Sequence, residues 1–315
     1  MAFIRVSGNL EPDAAEELWL EGRGGVKLRA LLAPALNGPP RGTVLLCNGR
    51  TEFIEKYFEV ISELQARGFV VFTMDWRGQG LSGRAMANPL KGHLDTLDDP
   101  ANDLGDAVRH LGARLPKPHV ILAHSMGGGI ALRAMQMRRV EVEAAAFSAP
   151  MWGIAQLTDF TLKFIRFMAA AGFGGMFGPG MERRWRKEKF RANRVTHNPE
   201  RFARGQAAVE IEPRLAIAGP TIGWLNAAAE AFETFRRPSA LANIRVPILI
   251  ASAGEEKLVD NASHAELAKL LSGARHITVE GAMHEILMEN DDKRAEFWAA
   301  FDDLVAAIAP QRAMA

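Results

Sequence analysis

Short apolar runs alternate with segments of helical spacing along most of this 315-residue chain. The apolar runs have the length and β-branched content of strands buried on both faces. They are Thr43–Cys47, Phe69–Met74, His119–Ala123, Val142–Phe147, Arg245–Ala251 and 275–279, preceded by a strand pair within 17–35. Helices are predicted between them at Glu52–Arg67, Asp98–Arg114, Met126–Met137, 262–272 and 290–308. This alternation predicts an α/β protein with a mostly parallel central sheet and helices on both faces.

The alternation stops at Pro150 and resumes at Arg245. A chain of this length exceeds the size at which one core usually stops growing, so one domain with an inserted segment is expected. We predict a core formed by residues 1–150 and 237–315. Residues 151–236, called the insertion below, are predicted to form a mostly helical cap.

Charge and cysteine content exclude several classes of protein. Lys and Arg number 38 against 37 Asp and Glu, so global charge gives no support for a nucleic-acid partner. The single cysteine, Cys47, excludes an intrachain disulfide, and its apolar run predicts a buried strand residue. Neither a leader pattern nor an apolar run of about 18 residues occurs, so we expect a cytoplasmic protein.

The junction between a predicted strand and helix at residues 123–129 has the pattern of a nucleophile elbow. Ser125 lies between small residues two positions away on each side, Ala123 and Gly127. Glycine is common at both places, and Ala123 departs from that by one methyl group. A phosphate-binding loop would need a Gly-x-Gly-x-x-Gly or Gly-Lys-Ser/Thr pattern, which this junction lacks. Ser125 is therefore predicted to be the nucleophile, and the adjacent His124 to be structural and to point away.

A serine needs a neighbouring base, and in this kind of fold an acid and then a histidine follow the nucleophile in sequence. His284 comes just after the last predicted strand, in the position of that base. The acid should follow the preceding strand, where Glu256 and Asp260 are both candidates. Spacing from the strand end favours Glu256 and leaves Asp260 in reserve.

Two backbone N–H groups are needed to stabilise a tetrahedral oxyanion. Met126, directly after the nucleophile, should supply one. The loop after an early strand, Cys47–Glu52, should supply the other, and Arg50 is the predicted donor through its main chain. This chemistry requires no metal and no organic cofactor.

Five segments of the chain together resemble the monoacylglycerol lipase and bacterial lysophospholipase branch of the α/β-hydrolases. They are Asn48–Arg50, Asp75–Gly83, His124–Gly128, Glu255–Asn261 and Gly281–Glu285; Thr196-His197 and Gly219–Trp224 of the insertion resemble the lysophospholipase side. The resemblance extends over nearly the whole chain from about residue 20. Two departures stand out: Asn48 replaces a histidine of many relatives, and Glu256 replaces an aspartate.

The resemblance implies the α/β-hydrolase fold, a triad of Ser125, Glu256 and His284, and oxyanion donors at Arg50 and Met126. It also implies a serine carboxylic-ester hydrolase that cleaves a single-acyl lipid, a lysophospholipid or a monoacylglycerol, through an acyl-enzyme. Two alternatives stay open. One is an esterase, amidase or peptidase with a small non-lipid substrate, and the other is a non-catalytic ligand-binding protein.

The insertion contains an apolar helix followed by a basic segment. The helix has Phe160, Leu162, Phe164, Ile165, Phe167 and Met168, with Phe173, Met176 and Phe177 beyond it. It either binds an acyl chain over Ser125 or packs within the cap. The basic segment, Met181–Arg191, is open to three interpretations: a solvated helix face, a surface for anionic lipid, or one for nucleic acid, which no fold supports. Peripheral contact with the inner face of a membrane is thus one expectation for the cap.

Overall fold

The computed structural model describes residues 3–155 and 157–309, and within them eight strands form one sheet. The strands are β1 (Glu16–Gly22), β2 (Val26–Ala33), β3 (Gly42–Cys47), β4 (Phe69–Met74), β5 (His119–His124), β6 (Ala144–Ser148), β7 (Ile248–Ala253) and β8 (Ala274–Val279). Their order in the sheet is β1-β2-β4-β3-β5-β6-β7-β8. The β1–β2 and β2–β4 pairs are antiparallel and all the others are parallel. The predicted, mostly parallel sheet is confirmed.

Helices connect the parallel strands. They are α1 (Phe58–Ala66), α2 (Asp98–Leu111), α3 (Met126–Gln136), α4 (Asp159–Met168), α5 (Pro199–Ile211), α6 (Ile222–Phe235), α7 (Pro238–Leu241), α8 (Asn261–Leu270) and α9 (Asp291–Ala306). Helix α1 packs on β4, α3 on β3 and β5, and α8 and α9 on β7 and β8. The helix predicted at Glu52–Arg67 begins as a 3-10 turn, Ile54–Tyr57. Across the described ranges, no helix is long and apolar enough to cross a bilayer.

The core lies between the sheet and these helices. Strands β3, β4, β5 and β7 are buried along their whole length, as their continuous apolar sequences predict. Cys47, at the end of β3, is 1% exposed, and burial raises the pKa of its thiol to about 12. The lone cysteine is therefore a buried strand residue, as its sequence indicates.

A fully buried arginine joins the antiparallel edge of the sheet to its centre. Arg29 of β2 donates from Nε to Glu17 of β1 at 2.8 Å and from Nη1 to Asp75, just after β4, at 3.4 Å. It also forms hydrogen bonds with Glu55, in the turn before α1. One guanidinium thus binds three carboxylates from three separate elements.

The insertion follows β6 and contributes α4, α5 and α6. Thr158 caps α4, whose single buried residue is Ile165, and a π-helical turn follows at Ala169–Phe173. Residues 183–189 form no regular element, so the helix considered for the basic segment does not form. Its dense charges leave no apolar stripe with which a helix could pack. The domain limits at 150/151 and 236/237 stay a prediction, and the terminal residues 1–2 and 310–315 of the predicted core lie outside the described residues.

Candidate active site

Ser125 lies in the sharp turn between β5 and α3, with φ 49° and ψ −121°. A non-glycine residue seldom has a positive φ, and such backbone strain is typical of functional turns. A Cβ atom at Gly127 would lie 2.2 Å from the carbonyl oxygen of Cys47 and 2.4 Å from that of Asn48. Since both are backbone atoms that cannot move aside, only glycine fits there. The close approach of α3 to β3 holds the serine at the end of its strand.

The structure brings Ser125, His284 and Glu256 together. The Nε2 atom of His284 lies 2.9 Å from Oγ of Ser125, and its Nδ1 atom lies 2.7 Å from Oε2 of Glu256. The side chains of His284 and Glu256 are 5% and 2% exposed. The serine follows β5, the carboxylate follows β7 and the imidazole follows β8, so the carboxyl edge of the parallel sheet brings together residues far apart in sequence.

Backbone N–H groups hold Glu256 in place. Its Oε1 atom accepts hydrogen bonds from the N–H groups of Lys257, Leu258 and Val259 at 2.8, 2.7 and 3.3 Å. Burial alone would raise the pKa of Glu256, but the contact with His284 and the backbone donors together hold it below its usual value. The carboxylate facing the imidazole is therefore ionised at neutral pH.

Asp260, the reserve candidate for the acid, has a different position. Its Oδ1 atom accepts a hydrogen bond from the N–H of Ala262 at 3.0 Å, which caps the start of α8. The structure thus places Glu256, not Asp260, against the imidazole.

The two predicted oxyanion donors are backbone N–H groups that have no acceptor among the described residues. Neither the N–H of Arg50 nor that of Met126 donates to a protein acceptor within residues 3–155 and 157–309. Their neighbours are engaged: Thr51 N–H donates to Oε1 of Gln79 at 2.5 Å, and Ser125 N–H donates to the carbonyl of Ser148 at 3.2 Å. Both unpaired donors belong to residues that adjoin the nucleophile or line the same cavity.

A buried ionic cluster that the sequence analysis missed lies beside the site. Lys56 Nζ is 2.8 Å from Glu52 and 2.6 Å from Glu285, and the hydroxyl of Tyr57 donates to Glu52 at 2.7 Å. Burial would raise the pKa of Glu52, but chiefly the charge of Lys56 lowers it to about 2. Glu285 directly follows His284, so this cluster braces the histidine loop. The Glu52–Lys56 spacing of four was a visible signal, whereas the Glu285 contact, 229 residues away, was not.

The prediction that His124 points away from the site is wrong, because its ring packs against that of His284 and lines the cavity. Its Nδ1 atom is 3.0 Å from the carbonyl oxygen of Ser148, and its ring centroid is 4.8 Å from that of His284. Burial lowers the pKa of His124 to about 4, so it is uncharged at neutral pH. A neutral ring packed against His284 adds no positive charge that would oppose protonation of that base.

A cavity of about 260 Å³ opens beside Ser125 and His284. Most of its other lining residues are apolar: Met151, Ile154, Met181, Val195, Pro220, Trp224, Leu225, Leu258 and Val259. Five of these belong to the later part of the insertion, whereas the described residues of α4 do not line it. The structure therefore does not place the apolar helix α4 at the cavity, and residues between 181 and 225 of the insertion line it instead. Over the described chain, no group of three or more His, Cys, Asp or Glu side chains could hold a metal ion.

Comparison with known proteins agrees with this geometry. The family described as serine aminopeptidase, S33, matches residues 38–291. Lysophospholipase L2 of Escherichia coli K12 is 34% identical over 265 residues, which cover 80% of this chain and 76% of the relative. A monoacylglycerol lipase of Mycolicibacterium smegmatis is 26% identical and covers 81% and 85% of the two chains.

A solved structure shows the same fold. The soluble variant of monoglyceride lipase from Saccharomyces cerevisiae, in complex with a substrate analog, superposes with a TM-score of 0.71 at 17% identity. The superposition covers 93% of this chain and 96% of the yeast chain.

Proposed function

Because the chain belongs to the serine aminopeptidase S33 family, and is thus a serine hydrolase with the α/β-hydrolase fold, we propose that it hydrolyses the ester of a single-acyl lipid. The substrate class is a lysophospholipid or a monoacylglycerol, as in the names of the bacterial relatives. The observation that supports it most directly is the apolar cavity that opens beside the hydrogen-bonded Ser125–His284 pair.

We assign the triad roles to Ser125, His284 and Glu256. As Ser125 Oγ attacks the ester carbonyl carbon, its proton passes to Nε2 of His284, and Glu256 stabilises the imidazolium. The N–H groups of Arg50 and Met126 bind the oxyanion. The carbon–oxygen bond to the alcohol then breaks, His284 gives its proton to the leaving alcohol, and an acyl-enzyme remains. Water, deprotonated by His284, releases the fatty acid and restores the serine.

A peptide substrate with a free amino terminus fits this cavity less well. An aminopeptidase site would need a carboxylate for the substrate ammonium group. The carboxylates that line the cavity within the described residues, Glu52 and Glu285, both already bind Lys56. An ester with an apolar acyl chain makes no such demand.

Ester turnover by the wild type and by Ser125→Ala tests the proposal. Monoacylglycerols and lysophospholipids of increasing chain length serve as substrates, with fluorophosphonate labelling as a second readout. Ser125→Ala should lose activity by about 10⁴-fold or more, since the nucleophile is removed. Ser148→Ala, which removes a buried hydroxyl at the end of the neighbouring strand, is the matched control and should retain activity.

Three results would speak against the proposal. Equal turnover by the wild type and Ser125→Ala would refute the triad. A rate that does not change with acyl length would favour a small non-lipid ester or amide. Failure of the wild type to label with fluorophosphonate would favour a non-catalytic ligand-binding protein.

We also propose that the enzyme is cytoplasmic and meets its substrate at the inner face of a membrane through α4. Phe160, Phe164 and Phe167 are 81%, 40% and 69% exposed. Their spacing of four and three residues puts them on one face of the helix. The basic residues at 183–191, exposed in the same insertion, would attract anionic head groups.

A further inference from the structure

The side chain of Arg50 lines the catalytic cavity. Its Nη2 atom donates to the carbonyl oxygen of Ala218 at 2.7 Å, and Cζ lies 5.1 Å from the ring centroid of Trp224. No carboxylate forms an ion pair with it in the part of the chain that the structure describes. Arg50 Nε and Trp224 Nε1 are both buried donors without an acceptor there. A guanidinium without a carboxylate partner therefore lies in the wall of the cavity, and the two unpaired donors are buried beside it.

This arrangement is electrostatically incomplete. Removing a charge from water is costly unless an opposite charge or full hydrogen bonding compensates it. A carbonyl oxygen and an aromatic ring compensate the guanidinium only in part. Burial lowers the pKa of Arg50 to about 10, so the group still carries its charge at neutral pH. An anion in the cavity would supply the missing partner.

The other charged groups of the cavity cannot supply it. Glu52 and Glu285 share Lys56, and Glu52 also accepts a hydrogen bond from Tyr57. No carboxylate of the described cavity wall pairs with Arg50, so a negatively charged group of the ligand would be its direct counter-ion.

We infer that the Arg50 guanidinium binds the phosphate group of the substrate, and so selects lysophospholipids over monoacylglycerols. This inference rests on the proposed function. The main-chain N–H of the same residue is assigned to the oxyanion, so its side chain begins beside the reacting ester, and we place the phosphate of the alcohol there. A second cavity of about 480 Å³ adjoins the first at Thr51, Val195 and Glu285, and gives space for the rest of a large alcohol. Guanidinium groups suit phosphate because their N–H donors match its oxygens in pairs.

The test compares two short-chain substrates below their micelle-forming concentrations, 1-hexanoylglycerol and 1-hexanoylglycerol 3-phosphate. The readout is the ratio of their kcat/KM values. Arg50→Met should lower the preference for the phosphorylated ester about tenfold to a hundredfold, since one charge-assisted contact is lost. Arg50→Lys should restore part of the preference, because the charge remains.

Arg245→Met is the matched control. Arg245 is exposed and precedes β7, at the opposite edge of the sheet from Ser125. Its removal should change the ratio less than about twofold, since a distant surface charge is screened. Hexyl phosphate should inhibit the wild type competitively and Arg50→Met far less. Hexanol controls for the chain, and inorganic phosphate shows whether the anion alone suffices.

The outcomes separate the two proposals. Equal losses on both substrates in Arg50→Met would mean that Arg50 only fastens Ala218 and Trp224 of the insertion to the core, and would overturn the inference. If Arg50→Met does not fold, equal kcat/KM values in the wild type with no inhibition by hexyl phosphate would overturn it as well. Cleavage of neither ester by the wild type would instead count against the proposed function itself.

Discussion

At the scale of single residues, Ser125 shows how packing maintains a strained conformation. A positive φ in a non-glycine residue costs on the order of 1–3 kcal/mol, and it persists only where the surroundings over-determine it. Here β5 fixes the chain before the turn, and α3, pressed against β3 at Gly127, fixes it after. The serine hydroxyl is therefore positioned before any substrate arrives.

The choice of acid is testable residue by residue. Glu256→Gln keeps the shape but removes the charge facing His284, so we expect kcat to fall about 10²–10⁴-fold. Asp260→Asn keeps an oxygen that can cap α8, and kcat should change little. Steady-state kinetics with one soluble ester, with circular dichroism to verify folding, measures both. A larger loss of kcat in Asp260→Asn than in Glu256→Gln would contradict the assignment.

Sequence spacing alone could not decide between Glu256 and Asp260 as the acid. Spacing after β7 put both Glu256 and Asp260 in range, and preferred the first. What separates them is a local turn: the N–H groups of residues 257–259 bind one oxygen of Glu256 and direct the other to His284. Those hydrogen bonds depend on backbone angles that spacing alone does not determine.

At the scale of helices and strands, α4 can be tested as a membrane contact. The double change Phe160→Ser and Phe167→Ser removes two exposed aromatic side chains, whose transfer to lipid should each be worth about 1.5–3 kcal/mol. Binding to vesicles that contain anionic lipid should weaken at least tenfold, measured by co-sedimentation. Leu10→Ser, at another side chain that is 84% exposed, is the control and should bind as the wild type does. Equal binding by all three proteins would exclude α4 as the contact.

Helices α1, α5 and α9 are joined by one carboxylate, that of Glu59. It accepts hydrogen bonds from Arg201 at 2.6 and 3.0 Å, from Arg204 at 2.8 Å and from Arg294 at 3.3 Å. Burial would raise its pKa, but these arginines outweigh burial and lower the pKa of Glu59 from 4.5 to about 2. The folded state therefore favours the ionised form.

The sign of this shift gives a pH-dependent prediction. A lowered folded-state pKa stabilises the protein above about pH 4.5, and the contribution disappears as the pH falls towards 2. Glu59→Gln should lower the free energy of unfolding by about 1–3 kcal/mol at pH 7, and by less at pH 3.5. Urea denaturation at both pH values measures it, and Glu21→Gln, at an exposed position of β1, is the control. A larger loss of unfolding free energy in Glu59→Gln at pH 3.5 than at pH 7 would contradict the predicted effect of the lowered pKa.

Elements with a clear apolar period were predictable, and the charged part of the insertion was not. Runs such as Phe69–Met74 form the expected strand because every side chain is buried and all but that of Thr73 are apolar. The basic segment has no such period, and residues 183–189 take an irregular path. Local propensity decides little there, since Lys187 and Glu188 form hydrogen bonds with side chains of α5 in place of helix packing.

At the scale of the whole molecule, Arg29 links parts of the sheet that come from three regions of sequence. Arg29→Met should lower the free energy of unfolding by about 3–5 kcal/mol at pH 7, because buried carboxylates lose their shared cation. Arg275→Met, at an exposed pair with Asp303, should cost less than about 1 kcal/mol. Chemical denaturation measures the free energy of unfolding of both variants. Similar losses of stability in the two would contradict the expectation that burial of the ion pair determines the loss.

The alternation of apolar runs with helical segments predicted the mostly parallel sheet, whereas neither the strand order nor the contacts between distant segments were predicted. Nothing in the local pattern pairs Lys56 with Glu285, or Arg50 with Ala218. These contacts exist only once the sheet has brought its carboxyl edge and the insertion together. The three residues assigned to the triad were therefore predicted from sequence, whereas the side-chain contacts of Arg50 and the cluster around Lys56 were not.

The depth of Cys47 makes this protein convenient for site-directed labelling. The chain has no other cysteine, and a thiol that is 1% exposed, with its pKa raised to about 12, presents almost no thiolate to a maleimide dye. A cysteine introduced at position 164 of α4 could thus carry a fluorophore without first deleting the native one. The emission wavelength of an environment-sensitive fluorophore there would shift when α4 binds a lipid surface.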